Sequence, residues 1–130
     1  MKRRREAGFS LLEVVVALAI IAIALLGIVS TFVHSINMGE SEREQQIAKQ
    51  AASKKIEEIR TATFDTLYAT YNGDTFAVDK LVHTGGPGGK GLGTVAVDNT
   101  NADLLEIQVT VQWKGILGDG TYSLRSMQSR

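Results

Sequence analysis

The feature that most constrains this chain is a long stretch without a charged side chain. No Asp, Glu, Lys or Arg occurs between Glu13 and Glu40, and residues 14–33 read VVVALAIIAIALLGIVSTFV. About 20 apolar residues are needed for a helix to cross the hydrocarbon core of a bilayer. A secretory signal peptide has a shorter apolar region of roughly 7–15 residues, followed by a small-residue cleavage site. The stretch therefore predicts a transmembrane helix rather than a removable secretory signal.

The charges that flank this stretch predict its orientation. Four basic residues, Lys2 to Arg5, precede it, and Glu6 offsets only one of them. Because positively charged flanks stay in the cytoplasm, the N-terminus is expected inside and the chain after about Val33 outside. This predicts a single-pass membrane protein with a cytoplasmic N-terminus and an extracytoplasmic C-terminal part.

Composition excludes several classes of function. From Phe9 onward the chain has ten basic and thirteen acidic residues, so it lacks the basic excess of a nucleic-acid-binding domain. It contains no cysteine, which excludes disulfides, thiol catalysis and thiolate metal sites. Neither nucleic acid nor a cysteine-bound metal is therefore an expected partner.

Glu13 is the anomaly, because a carboxylate stands at the head of the apolar run. On insertion scales an acidic residue costs ~2.5–3.5 kcal/mol at the centre of a membrane helix, and less near its end. Glu13 could simply lie at the interface, in the first turn, where the helix dipole favours a negative charge. Alternatively it needs a positive partner, and its own helix offers none before Arg43.

The segment KRRREAGFSLLEVVVALAII resembles the prepilin leader of type IV pilins and of type II secretion pseudopilins. The family pattern is a short basic leader that ends in Gly, then Phe, then an apolar run with Glu four residues after the Phe. Gly8, Phe9 and Glu13 occupy those positions here. The resemblance is close over only the first 35 or so residues of the chain.

The resemblance implies a processing and assembly pathway. A membrane-embedded prepilin peptidase would cut between Gly8 and Phe9 and would methylate the amino group of Phe9. The new ammonium group of Phe9 would pair with Glu13 of a neighbouring pilin or pseudopilin subunit, on an inner-membrane assembly platform. The implied parts are a leader (1–8), a transmembrane and assembly helix (9–34), and an amphipathic helix continuation with a β head (35–130).

The remainder of the chain predicts an α+β fold. Apolar residues at helical spacing after Gly39 form one stripe for packing against a domain: Ala48, Ala52, Ile56 and Ile59, with Ala51 beside them. Four segments read as strands, DTFAVDKLVH, LGTVAVD, DLLEIQVTVQW and GTYSLRSM. Asp119-Gly120 predicts the turn before the last of these strands. A long helix laid on a small antiparallel sheet is expected.

Three polar features of the sequence could in principle form sites. The run GGPGGKG contains the spacing of a dinucleotide-binding loop, but a proline interrupts it and a strand-like run follows, so a loop is predicted. The run DNTNAD offers oxygen ligands in a spacing unlike a calcium loop, so a polar turn is predicted. His34 and His83 stand alone. The sequence therefore predicts no catalytic residue, no cofactor and no metal site, and the protein is expected not to be an enzyme.

The resemblance implies a structural subunit of a type IV filament machine. The helix end KKIEEIRTATFDTL and the ending IQVTVQWKG to GTYSLRSMQSR are similar to minor pseudopilins of type II secretion and to PilV-like minor type IV pilins. A minor pseudopilin is the preferred interpretation and a minor pilin of a pilus the alternative. A further alternative is an uncleaved signal-anchored binding module, which explains the basic flank but not the combination of Gly8, Phe9 and Glu13.

Overall fold

The computed structural model describes residues 10–130, and it has the predicted α+β architecture. Helix α1 spans Leu11–Arg60 and helix α2 spans Phe64–Tyr71. The strands are β1 (Thr75–Val82), β2 (Lys90–Asn101), β3 (Leu104–Gly115) and β4 (Gly118–Ser129), with a 3-10 turn at Pro87–Gly89 between β1 and β2. The chain divides into an N-terminal unit that ends at Ile36 and a C-terminal unit that begins at Asn37.

The N-terminal unit is the apolar part of α1. Every residue from Ser10 to Ile36 is exposed, and none of the most hydrophobic window is buried. A helix that is apolar all round is stable only inside a bilayer or within a bundle of other helices. By length and composition this helix can cross a membrane, as expected of the single N-terminal anchor of pilin-type proteins.

The C-terminal unit contains an antiparallel sheet in which each strand pairs with the next along the chain, in the order β1-β2-β3-β4. In β3 the predicted alternation is confirmed, because one face is buried and consists of Leu105, Ile107, Val109, Val111 and Trp113. The predicted helix stripe is confirmed as well: the buried residues of α1 are Ala48, Ala52, Ile56 and Ile59. Alanine at the first two positions removes side-chain bulk where the helix meets the core.

Helix α2 was not predicted from the sequence, which reads as one continuous helix-forming stretch. Helix α1 ends because the Thr61 hydroxyl and the Thr61 N–H both bond the carbonyl of Glu58, at 2.6 and 3.2 Å. Threonine offers the backbone this local alternative to a further helical turn. Helix α2 starts three residues after Thr61, and its Leu67 is fully buried in the core.

The predicted turn at Asp119-Gly120 is wrong. These residues lie in β4, where Asp119 pairs with Lys114 and Gly120 pairs with Trp113. The chain instead turns at Ile116-Leu117, and Gly118 follows with φ of +124°, a conformation that favours glycine. Gly120 is required for a different reason, since a Cβ atom there would overlap the indole ring of Trp113. The glycine that suggested a turn therefore provides space for a core side chain.

Substitution of Gly120 by Ala is expected to destabilise the head by about 1–3 kcal/mol, because the added methyl group forces Trp113 out of its packed position. Unfolding of the full chain in detergent can be followed by the fluorescence of Trp113, the only tryptophan. The control is Thr121→Ala, at an exposed position on the other face of β4. Equal unfolding midpoints for the two variants would contradict this account of Gly120.

Candidate assembly site

Of the predicted site residues, Glu13 lies in the first turn of α1, whereas Gly8 and Phe9 lie outside the described residues. Ser10 caps the helix: its hydroxyl accepts a hydrogen bond from the N–H of Glu13 at 3.3 Å, and its carbonyl accepts from Glu13 and Val14 at 3.0 and 3.2 Å. The sequence Ser-x-x-Glu has the spacing of a capping box. This helix-start motif was available in the sequence and was overlooked there.

The carboxylate of Glu13 is exposed and has no hydrogen bond or ion pair with any residue in 10–130. It stands near the positive end of the helix dipole, which stabilises it only in part. The side chains that follow along the helix are apolar and exposed, such as Val14, Val15 and Leu18 at 47, 53 and 61%. A free carboxylate next to such a surface can accept a cationic group from another chain once the surface is covered.

One polar side chain in the apolar part of α1 has a local partner. The hydroxyl of Thr31 donates to the carbonyl of Gly27 at 3.0 Å, so it requires no water. His34 is exposed on the same helix, three residues further on. Between Leu11 and Ile36, the apolar part of α1, Glu13 is the one charged residue, so it is the charge that membrane burial or assembly must accommodate.

In the head, the strongest polar cluster surrounds Lys55. Its ammonium group lies 3.1 Å from the carboxylates of both Glu58 and Asp74, and 5.4 Å from the ring centroids of Tyr71 and Phe76. Burial alone would lower the pKa of Lys55, but the hydrogen bonds to Asp74 and Glu58 outweigh it and raise the pKa above the ordinary 10.5. The cluster joins α1 to α2 and to the start of β1.

Residues 85–89 of the glycine-rich run form the predicted loop, and its last two residues, Lys90 and Gly91, begin β2. Pro87–Gly89 make one 3-10 turn, and the strand β2 follows where a dinucleotide site would need a helix. The ammonium group of Lys90 lies 2.7 Å from the carboxylate of Asp79 and, through this hydrogen bond, lowers the pKa of Asp79. His83 accepts a hydrogen bond at Nδ1 from the N–H of Gly85, at 3.1 Å.

The polar turn predicted for DNTNAD is only partly correct: Asp98–Asn101 are the irregular end of β2, and the turn before β3 is Ala102-Asp103. The carboxylate of Asp98 accepts hydrogen bonds from the hydroxyl and from the N–H of Thr100, the latter at 2.8 Å, and both lower the pKa of Asp98. The side chain of Asn101 accepts from the N–H of Asp103 at 3.1 Å. These oxygens are used to stabilise the turn. Across residues 10–130 no three His, Asp or Glu side chains are grouped as a metal site would require.

Comparison with protein families supports the interpretation of the first helix. Residues 3–29 match the prokaryotic N-terminal methylation motif. The chain has a pilin-type N-terminus. The match contains Gly8, Phe9 and Glu13 and covers about a fifth of the chain. Such a leader implies processing by a prepilin peptidase and assembly with other pilin-type subunits. No curated protein and no solved structure matches the chain.

The Lys55 cluster predicts a pH dependence of head stability. Because the pKa of Lys55 is raised on folding, its contribution is fully present below the ordinary value of 10.5 and is lost as the pH rises through the raised value. Unfolding midpoints in urea, measured from about pH 8 to about pH 12, should fall more steeply for the wild type than for Lys55→Met. Lys54→Met, which removes a neighbouring lysine without an ion pair among residues 10–130, should keep the wild-type slope.

Proposed function

We propose that this protein is a structural subunit of a type IV filament machine, specifically a minor pseudopilin of a type II secretion system. The observation that carries the proposal is the methylation motif at the head of a helix that is exposed and apolar on all sides. Such a helix cannot remain in water, and both a bilayer and a bundle of like helices satisfy it. A filament subunit uses these two environments in succession.

In this proposal the basic residues Lys2 to Arg5 orient the precursor in the inner membrane with its N-terminus in the cytoplasm. The prepilin peptidase cuts between Gly8 and Phe9, removes those charges and methylates the new amino group. The inner-membrane assembly platform then transfers the subunit into a filament. Residues 9–34 form the transmembrane and assembly helix, and residues 35–130 carry the head on the periplasmic or extracytoplasmic side.

The role proposed for Glu13 follows from its electrostatics. Its carboxylate has no partner among residues 10–130, and it begins an apolar surface. The ammonium group of Phe9 in an incoming subunit neutralises that charge when the surrounding surface becomes covered. The attraction between opposite charges grows as water is excluded, so the pair also fixes the register of adjacent helices. The protein acts in assembly rather than as an enzyme.

A minor pilin of a pilus would contain the same first helix, so the distinction depends on the head. The helix end and the last two strands are similar both to minor pseudopilins and to PilV-like minor pilins, so a genetic experiment has to separate the two roles. Deletion of the gene should abolish export of the secreted proteins while surface pili persist. Loss of pili with normal secretion would identify a pilus subunit instead.

Processing predicts a defined mature N-terminus. Protein purified from membranes of the native host should begin at Phe9 and weigh one methyl group more than the unmodified chain from that residue. Intact-mass analysis and N-terminal peptide mapping measure both properties. A chain that retains Lys2 to Gly8 in cells with active prepilin peptidase would contradict the proposal and favour the uncleaved anchor.

Substitution of Glu13 by Leu should leave membrane insertion intact, because it removes an unfavourable charge from the apolar segment. Assembly should fall, since the incoming ammonium group loses its partner. Fractionation of membranes measures insertion, and recovery of sheared filaments together with secretion measures assembly. Glu13→Asp, which keeps the charge, is the control and should retain most activity. Normal assembly of the leucine variant would refute the role of Glu13.

A further inference from the structure

The hairpin of β3 and β4 carries an exposed apolar pair at its turn. Ile116 and Leu117 form this turn, and 57 and 58% of their surfaces are exposed. Within the C-terminal unit they are the one pair of large apolar residues that are both exposed and adjacent in sequence. Turns in contact with water usually consist of Gly, Pro, Asn, Asp or Ser, each of which has a local reason to be there. We call this pair the apolar tip.

The apolar tip lies at the end of the C-terminal unit where α1 enters it. The indole N–H of Trp113 donates to the carboxylate of Glu44 at 3.3 Å, and a Cβ atom at Gly115 would overlap the same carboxylate. At the opposite end of the hairpin, Arg130 contacts Asp65, which follows the end of α1, at 2.8 Å. The hairpin therefore extends from the region beyond the last turn of α1 back to Glu44, and its turn comes after that point.

Little chain separates this end of the head from the apolar part of α1. Glu44 follows Ile36, the last residue of the N-terminal unit, by eight residues, which is about 12 Å of helix. The two residues of the apolar tip extend roughly 6 Å beyond Gly115. The polar layer on each side of the hydrocarbon core of a bilayer is about 5–7 Å thick. The lengths of these segments therefore allow the apolar tip to reach the polar layer when the apolar helix spans the membrane.

We infer that the apolar tip inserts into the lipid interface of the bilayer that anchors the chain. Ile116 and Leu117 would cover their exposed surfaces at the boundary between head groups and acyl chains, where apolar faces of interfacial segments lie. Met38, at the start of the C-terminal unit, is 47% exposed and adds an apolar side chain near the same end. The inference rests on the membrane span in the proposed function, but it does not require filament assembly.

A contact as small as two side chains is sufficient because the helix already holds the head at the membrane. A second attachment within one molecule benefits from a high effective concentration, so it needs little affinity of its own. The helix supplies the anchorage, and the apolar tip determines which end of the head faces the bilayer. The contact belongs to the subunit in the membrane before assembly, since a subunit that enters a filament leaves the lipid.

The charges beside the apolar tip indicate that the contact depends on apolar burial rather than on anionic lipid. Lys114 and Asp119 lie opposite each other in the hairpin, so their charges cancel. Neither residue forms an ion pair with another residue of 10–130. The long side chain of Lys114 can extend its ammonium group to lipid phosphates while its methylene groups stay beside apolar surface. Insertion is therefore expected in zwitterionic bilayers as well as in anionic ones.

The absence of native cysteine allows the tip to be tested with single fluorescent labels in the full chain. Leu117→Cys carries an environment-sensitive fluorophore, and the chain is reconstituted at low density into phosphatidylcholine vesicles. Lipids with a nitroxide at the head group quench a label that lies in the interface. Ala102→Cys is the matched control, because Ala102 is exposed in the turn at the other end of β3. Leu26→Cys reports insertion of the apolar helix and is read with nitroxides on the acyl chains.

For chains that float with the vesicles, nitroxide lipids should quench the labels at Leu26 and Leu117 and leave the label at Ala102 unquenched. Adding Ile116→Ser to the Leu117→Cys chain should reduce quenching at the tip, whereas adding Thr121→Ser, at an exposed position of β4, should not. Aqueous iodide should quench the label at Ala102 more strongly than the label at Leu117.

The same labels separate failure of this inference from failure of the proposed function. Quenching at Leu26 but not at Leu117 would refute insertion of the apolar tip and leave the proposed function in place. Equal quenching at Leu117 and Ala102 would also refute it, because the head would then lie flat on the bilayer. A label at Leu117 that neither nitroxide lipid nor iodide reaches would show that protein covers the tip. Absence of quenching at all three labels would overturn the membrane span and the inference together.

Discussion

The first helix depends on one electrostatic constraint, because the carboxylate of Glu13 lies at the start of an exposed apolar surface. Glu13 is exposed at the start of α1, and the side chains that follow to Ile36 are exposed as well. A bilayer can leave a carboxylate of the first turn in its hydrated interface. A bundle of helices that covers this end would remove water from the carboxylate, and a buried carboxylate is stable only with a positive partner. The proposed assembly would supply that partner from another subunit. The methylation motif at residues 3–29 implies assembly with other pilin-type subunits.

Within the head, the later part of α1 is amphipathic and packs one side against the core. It buries one stripe of four residues, two of which, Ala48 and Ala52, are alanines. Glu44 accepts a hydrogen bond from the indole N–H of Trp113 at 3.3 Å, and Lys55 joins α1 to Asp74. Polar links thus fix the position of the helix on the sheet at two places along its length, while the apolar stripe supplies most of the burial.

The sequence predicted the core correctly where buried residues recur at a regular spacing. The alternation in β3 and the helical spacing of Ala48, Ala52, Ile56 and Ile59 predicted the core correctly, since both patterns reflect one buried face. The turn at Asp119-Gly120 was predicted wrongly because glycine has two uses, and only the position of Trp113 distinguishes them. Helix α2 was missed because the break at Thr61 comes from a local hydrogen bond rather than from Gly or Pro. The positive φ of Lys80 could not be predicted, since nothing in the neighbouring sequence indicates it.

The order of the sheet has a consequence for how the head folds. Each strand pairs only with its neighbour along the chain, so the sheet can grow hairpin by hairpin without closing a long loop. Contacts between residues close in sequence favour rapid folding. Docking of α1 spans a greater distance, as shown by the 69 residues that separate Glu44 from Trp113. We therefore expect the sheet to form before α1 docks on it, because docking has to close a longer loop.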